Sequence, residues 1–475
     1  MRCISLKQKS LSSFFILCFT AIFLACTGEK PASENVQIPA QETPVYHIQD
    51  SLKTGVIYPE VPINDDKLNS FALYLPKSYQ PNLVAPVVFF FDPSGRGAVP
   101  LYKYKQIADS LGLIFIGSNV SKNGQDEDDI NVMWNTLKNV SYSNFAIDTK
   151  HIILAGFSGG ARVACAIASK EPGTTAVIAN SAGMPQPESV FAPNTLFIGV
   201  AGKGDMNRAE MNVIEQHLKG TSLSHYYLEF DGIHEWAPSS SMVKAIYLSY
   251  MHVFATHPAN TDQMKIDAFT EQQKLTIAQL LEQNKWVDAY NEMMILHEST
   301  KFFNPAVNHD AIDSLKNSAV YLSQKSELMK INNNEIAIQQ ELYKMMAQQP
   351  DTLKWKVKLA EIRKKSTQKG EMGMMHQRLL GYASLLCYSL SNRLLMAKNY
   401  TDAALMVTCY QIADPQNAEV YFFKAIIQAS NRDKTATVNM LKKALSMGLS
   451  DKNRINQQKE FDFLSNDAVL KELLK

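Results

Sequence analysis

The sequence predicts an α/β protein with a mostly parallel sheet and helices on both faces, followed by an all-helical region. Two observations carry this. Between about residues 55 and 257, short apolar runs alternate with amphipathic stretches, and several runs are continuously apolar, as in strands buried on both faces. From about residue 261 such runs vanish, and Leu, Met, Ala, Gln and Lys dominate in helical spacing. The chain has 475 residues, 46% hydrophobic and 20% charged, enough to bury more than one core. Lys+Arg is 47 against Asp+Glu 46, a net charge of +1. That balance gives no electrostatic reason for nucleic acid as a partner. With 21 glycines and 19 prolines the chain is neither collagen-like nor of low complexity.

The first elements are an address. Arg2, Lys7 and Lys9 precede an apolar run over residues 11–25, too short for a comfortable membrane span and right for the apolar region of a signal peptide. The run ends Phe23-Leu24-Ala25-Cys26. This resembles the lipobox of bacterial lipoproteins, with Phe23 where leucine is usual; it implies lipidation of Cys26. The other reading is ordinary secretion with cleavage near Ala25. In both, residues 1–25 are a signal, and the mature chain leaves the cytoplasm. Under the first it is anchored by lipid to the bacterial cell envelope, with no other membrane contact. Residues 26–50, with Pro31, Pro39 and Pro44, read as a flexible tether.

Residues 51–257 then give strands at 71–75, 87–91, 114–118, 151–155, 176–180, 195–200 and 225–230. Helices fall at 101–110, 129–142, 160–169, 208–218 and 240–254. Strand–helix–strand at this spacing implies a parallel sheet. Residues 258–475 form the helical part. Tyr400, Ala403, Tyr410 and Asp414-Pro415 open one helix pair, and Ala444 follows Tyr410 by 34 residues. These positions and that period resemble a tetratricopeptide array, as does the segment from Lys285 to Ala289; a generic helical bundle is the other reading. Stacked helix pairs make concave surfaces, so a protein partner is expected there. Cys165, Cys387 and Cys409 read as buried free thiols, with a Cys387–Cys409 bridge as the alternative.

The sharpest chemical signal is Gly156-Phe157-Ser158-Gly159-Gly160, between an apolar strand and a small-residue helix. A sharp turn there exposes the serine at the carboxyl end of the sheet. A serine hydroxyl needs a base, and the base needs an orienting carboxylate. Downstream, Asp205 in Gly202-Lys-Gly-Asp and His234 in Asp231-Gly-Ile-His-Glu-Trp236 both fall just after strands. His234 is the expected base and Asp205 its carboxylate, with Asp231 and Glu235 as weaker candidates; His217 and His225 are expected to pack or face solvent. The oxyanion of a tetrahedral intermediate needs donors. One is expected at the Gly159 amide, the other from Ser94 or Gly95 in the loop Asp92-Pro-Ser-Gly-Arg-Gly97. Arg96 is a candidate substrate contact.

These pieces together resemble the α/β-hydrolase superfamily. Within it the chain is most similar to the secreted polyhydroxybutyrate-depolymerase-like and feruloyl-esterase-like branch, over under half its length. Asp92-Pro stands where that branch commonly has His-Gly. The resemblance implies hydrolysis through an acyl-serine intermediate with a Ser158–Asp205–His234 triad, without metal or organic cofactor. The substrate class expected is a small-molecule, carbohydrate or polymer ester. Two other readings stay open: a serine peptidase, and a binding or scaffolding lipoprotein whose hydrolase fold is inert.

Overall fold

The structure is a computed structural model that describes residues 52–63, 66–184, 191–303, 309–347, 350–449 and 452–474. The signal, Cys26 and the tether lie outside the described residues. Among them, no helix is long and apolar enough to cross a membrane.

Eight strands form one sheet: β1 Ile57–Ile63, β2 Asp66–Tyr74, β3 Ala85–Phe91, β4 Ile114–Ser118, β5 Ile147–Phe157, β6 Ala176–Asn180, β7 Leu196–Gly202 and β8 His225–Phe230. Their order is β1-β2-β4-β3-β5-β6-β7-β8. β2 pairs antiparallel with β1 and β4, and every pair from β4 to β8 is parallel. This is the α/β-hydrolase arrangement. Helices α1 Ala98–Leu111, α2 Glu127–Asn144, α3 Gly159–Ala168, α4 Arg208–Leu218 and α5 Ser239–Thr256 connect and follow the strands.

Successive strand residues point to opposite faces, so each apolar run feeds two cores. Val87, Phe89, Phe91, Ile116 and Leu154 pack with Ile130 and Trp134 of α2 and Ala161 and Cys165 of α3. Trp134 stands edge-on to Phe89 at 5.0 Å. Val88, Phe90, Ile153, Ala155, Ile178 and Ile198 pack on the other face with α1 and α5.

That second core does not end at residue 257. Helices α6 Gln263–Glu282 and α7 Trp286–Thr300 bring Ile266, Phe269, Ile277, Ile295 and Leu296 into it, and Phe269 stacks on Tyr247 at 5.9 Å. The helical texture begins where the sequence placed it, but the first compact unit runs to Glu327 and the second starts at Leu328. α8 His309–Lys316 precedes α9 Ala319–Ala347, within which that division falls.

The second unit is all-helical: α10 Thr352–Ser366, α11 Glu371–Met396, α12 Tyr400–Ala413, α13 Ala418–Ser430, α14 Lys434–Ser446, α15 Lys452–Gln457 and α16 Ala468–Leu474. Side-chain caps start α10 (Asp351), α12 (Asn399), α13 (Asn417) and α14 (Asp433). Ala403, Tyr410 and Ala444 are buried. Cys387 and Cys409 are buried free thiols, not a bridge, and Cys165 is also free.

One buried group makes the α/β unit sensitive to acid. His151 of β5 lies against Ser249 Oγ at 3.0 Å and edge-on to Tyr250 at 4.4 Å. Burial, with smaller contributions from Lys265 and His252, holds its imidazole down to about 3 from 6.5. Between these values the unfolded chain binds a proton that the folded chain refuses, so stability falls as pH is lowered from 6.5 towards 3. His151→Gln is expected to flatten the acid limb of the urea midpoint in that window. An unchanged limb would refute the role of this residue.

Candidate active site

Ser158 sits between β5 and α3 with φ 52° and ψ −121°. A positive φ costs a non-glycine residue roughly 1–3 kcal/mol, and such strain persists only where the surroundings fix it. Here the Ser158 N–H donates to Asn180 O of β6 at 2.8 Å. The flanking glycines are required by close approach. A Cβ on Gly156 would lie 2.1 Å from Gly160 O, and one on Gly160 would lie 1.9 Å from Phe91 O. Only without side chains can α3 start this close to β5 and β3.

The three side chains that the sequence singled out come together. His234 Nε2 is 3.0 Å from Ser158 Oγ, and His234 Nδ1 is 2.9 Å from Asp205 Oδ1. Asp205 is fully buried, and its Oδ1 also accepts the Asn207 N–H at 2.8 Å. Its Oδ2 is buried with no hydrogen-bond partner among the described residues. A carboxylate only accepts, so the proton belongs on Nδ1, which leaves Nε2 free to accept from the serine hydroxyl. Asp231 is not the partner of His234; it lies 3.6 Å from Lys203 and 3.8 Å from Lys285. Glu235 contributes a backbone carbonyl, which accepts from Asn180 Nδ2 at 3.2 Å. His217 lies on α4, and His225 at the start of β8 contacts Leu223 O.

The residues that hold this set were not singled out from the sequence. Asn180 is fully buried and joins the serine turn to the histidine loop. Its backbone carbonyl accepts from Ser158, and its Oδ1 accepts the Ala237 N–H at 2.6 Å. From α1, Lys103 Nζ donates to Trp236 O at 2.6 Å and Tyr104 OH to Ala237 O at 2.5 Å. Beside Asp205, Lys203 Nζ donates to Asp288 of α7 at 2.6 Å. That contact ties the carboxylate loop to a helix beyond residue 257.

Asp92 is fully buried. Its carboxylate accepts from the Trp236 indole at 3.1 Å, from Arg96 Nε at 3.0 Å and from the Ser94 N–H at 3.0 Å. The Gly95 N–H donates to Asp92 O at 3.2 Å. Both loop amides expected as oxyanion donors are therefore engaged by Asp92. The signal was readable, since an aspartate captures a backbone N–H two residues on in an Asx turn. Arg96 is exposed and paired with that carboxylate. Gly159 opens α3, so its N–H has no intrahelical partner. Among the described residues no group of three or more His, Cys, Asp or Glu is placed to hold a metal ion.

No family model and no curated protein matches the chain. Solved structures do. Fluorophosphonate-binding serine hydrolase F of Staphylococcus aureus is 13% identical over 38% of this chain and 92% of its own, with a TM-score of 0.32. S-formylglutathione hydrolase of the same organism is 13% identical over 39% and 90%, at 0.33. Esterase B from Lactobacillus rhamnosis is 14% identical over 43% and 88%, at 0.34.

Proposed function

We propose that the protein is a serine hydrolase of carboxylic esters, acting through an acyl-serine intermediate. The observation that carries this reading is the chain of contacts from Ser158 through His234 to a fully buried Asp205, with the serine in a strained turn. Ser158 Oγ attacks the acyl carbon while His234 Nε2 takes its proton. The oxyanion that forms lies against the Gly159 amide. His234 returns the proton to the leaving alkoxide, and water then repeats the sequence on the acyl-serine. Asp205 keeps the imidazole oriented and offsets its charge. In this reading Cys26 carries a lipid that holds the enzyme at the cell envelope. Residues 400–446 form a tetratricopeptide-like unit that recruits a protein partner.

The test is labelling of the purified protein with a fluorophosphonate probe, comparing the natural chain with Ser158→Ala. Labelling of the first and not the second is expected, followed by turnover in a screen of acyl esters. A folded natural chain that takes no label would overturn the reading.

A further inference from the structure

With the Ser94 and Gly95 amides both turned to Asp92, the oxyanion site has one evident donor, the Gly159 amide. The side chain that a Cβ on Gly159 would meet first is that of Asn123. A Cβ built on Gly159 would lie 2.4 Å from Asn123 Oδ1 and 2.9 Å from its Cγ. The Asn123 carboxamide thus fills the space that a side chain next to the nucleophile would occupy. It has no hydrogen-bond partner among the described residues, although its backbone is well held. The Asn123 N–H donates to Pro93 O at 2.8 Å, Ser121 Oγ donates to Asp92 O at 2.8 Å, and Lys122 bridges to Ser94. A half-turn of the carboxamide exchanges its oxygen for its NH2 without moving the loop.

We propose that the Asn123 carboxamide is the second oxyanion donor, acting beside the Gly159 amide. This rests on the reading of Ser158 as nucleophile. The side-chain donor replaces the loop amide because Asp92 holds that loop in another hydrogen-bonding arrangement. Asn123 donates most strongly when charge develops on the acyl oxygen, so it acts on kcat rather than KM.

The test uses the full chain and p-nitrophenyl butyrate, with Asn123→Ala, Asn123→Asp, Gly159→Ala and the Gly159→Ala/Asn123→Ala double variant. Asn123→Ala is expected to lower kcat about 10²- to 10³-fold, with KM and thermal midpoint nearly unchanged. Asn123→Asp loses at least as much, since it presents a carboxylate to the oxyanion. Gly159 has no positive φ, so alanine suits its helical backbone. Gly159→Ala keeps the backbone N–H but displaces the Asn123 side chain. It is expected to lower kcat comparably, and the double variant no further than Asn123→Ala alone. Affinity for butylboronic acid, whose tetrahedral adduct places an oxygen in the same site, falls with kcat. An Asn123→Ala enzyme with natural kcat and boronate affinity, or fully additive losses, would overturn the proposal while leaving Ser158 as nucleophile. A natural chain without turnover that depends on Ser158 overturns both.

Discussion

Ser158→Ala is expected to lower kcat about 10⁶-fold and Asp205→Asn about 10⁴-fold, with the thermal midpoint little changed in either variant. The fold should survive. Alanine meets the same positive φ as serine and loses only a hydroxyl, and the turn is fixed by the Ser158 N–H to Asn180 O and by Gly156 and Gly160. Asparagine at 205 keeps the volume and removes a buried charge whose second oxygen has no partner among the described residues. Catalysis should not survive. Asn207 N–H and His234 Nδ1 both reach Asp205 Oδ1. With an amide at 205, that one place is taken either by an oxygen without the charge that offsets the imidazolium or by an NH2, which is itself a donor. If the NH2 faces His234, the imidazole must carry its proton on Nε2, and Ser158 Oγ then meets a donor instead of a base. The Ser158→Ala/Asp205→Asn double variant is expected to be no slower than Ser158→Ala alone, because the residues act as one unit. Independent, multiplying losses in the single and double variants would refute a shared role.

The sheet and the serine turn were legible because their determinants are local. Continuous apolar runs such as Val87 to Phe91 belong to strands buried on both faces, and Gly156 and Gly160 leave room for one sharp turn. The seven expected strands all form. An eighth, β1, was missed because Pro59 and Pro62 argue against a strand, whereas its place at the sheet edge leaves one side without ladder partners to lose. The pairing of His234 with Asp205 followed from order along the chain and position after strands. The holding residues were illegible for a different reason. Asn180 and Trp236 matter through contacts between segments far apart in sequence, and no spacing rule announces them. The close of the first unit at Glu327 was hidden likewise, since Ile266, Phe269 and Leu296 look like any helix stripe until they enter the core of the sheet.

In the second unit the largest expected loss of stability is at Glu335 and Arg378. Arg378 is fully buried and Glu335 is 2% exposed. Arg378 Nε lies 2.9 Å from Glu335 Oε1 and Nη2 lies 2.5 Å from Oε2, a two-pronged pairing of α11 with α9. The attraction must first offset the loss of water around two charges, so the pair is no guarantee of net stability. Removing one partner is another matter. Glu335→Leu leaves a buried guanidinium without its carboxylate, at a cost of about 3–5 kcal/mol. Arg378→Met leaves a carboxyl group, which can neutralise itself by taking up a proton and should cost less. Restoring apolar consistency in Glu335→Leu/Arg378→Met should recover most of the loss, since well-packed hydrophobic replacements of buried pairs are often neutral or better. Urea unfolding of the four proteins measures this directly. Single variants as stable as the natural chain would mean that water reaches the pair. A double variant as unstable as Glu335→Leu would mean that the charges fix the register of α9 on α11, a role that apolar packing cannot replace.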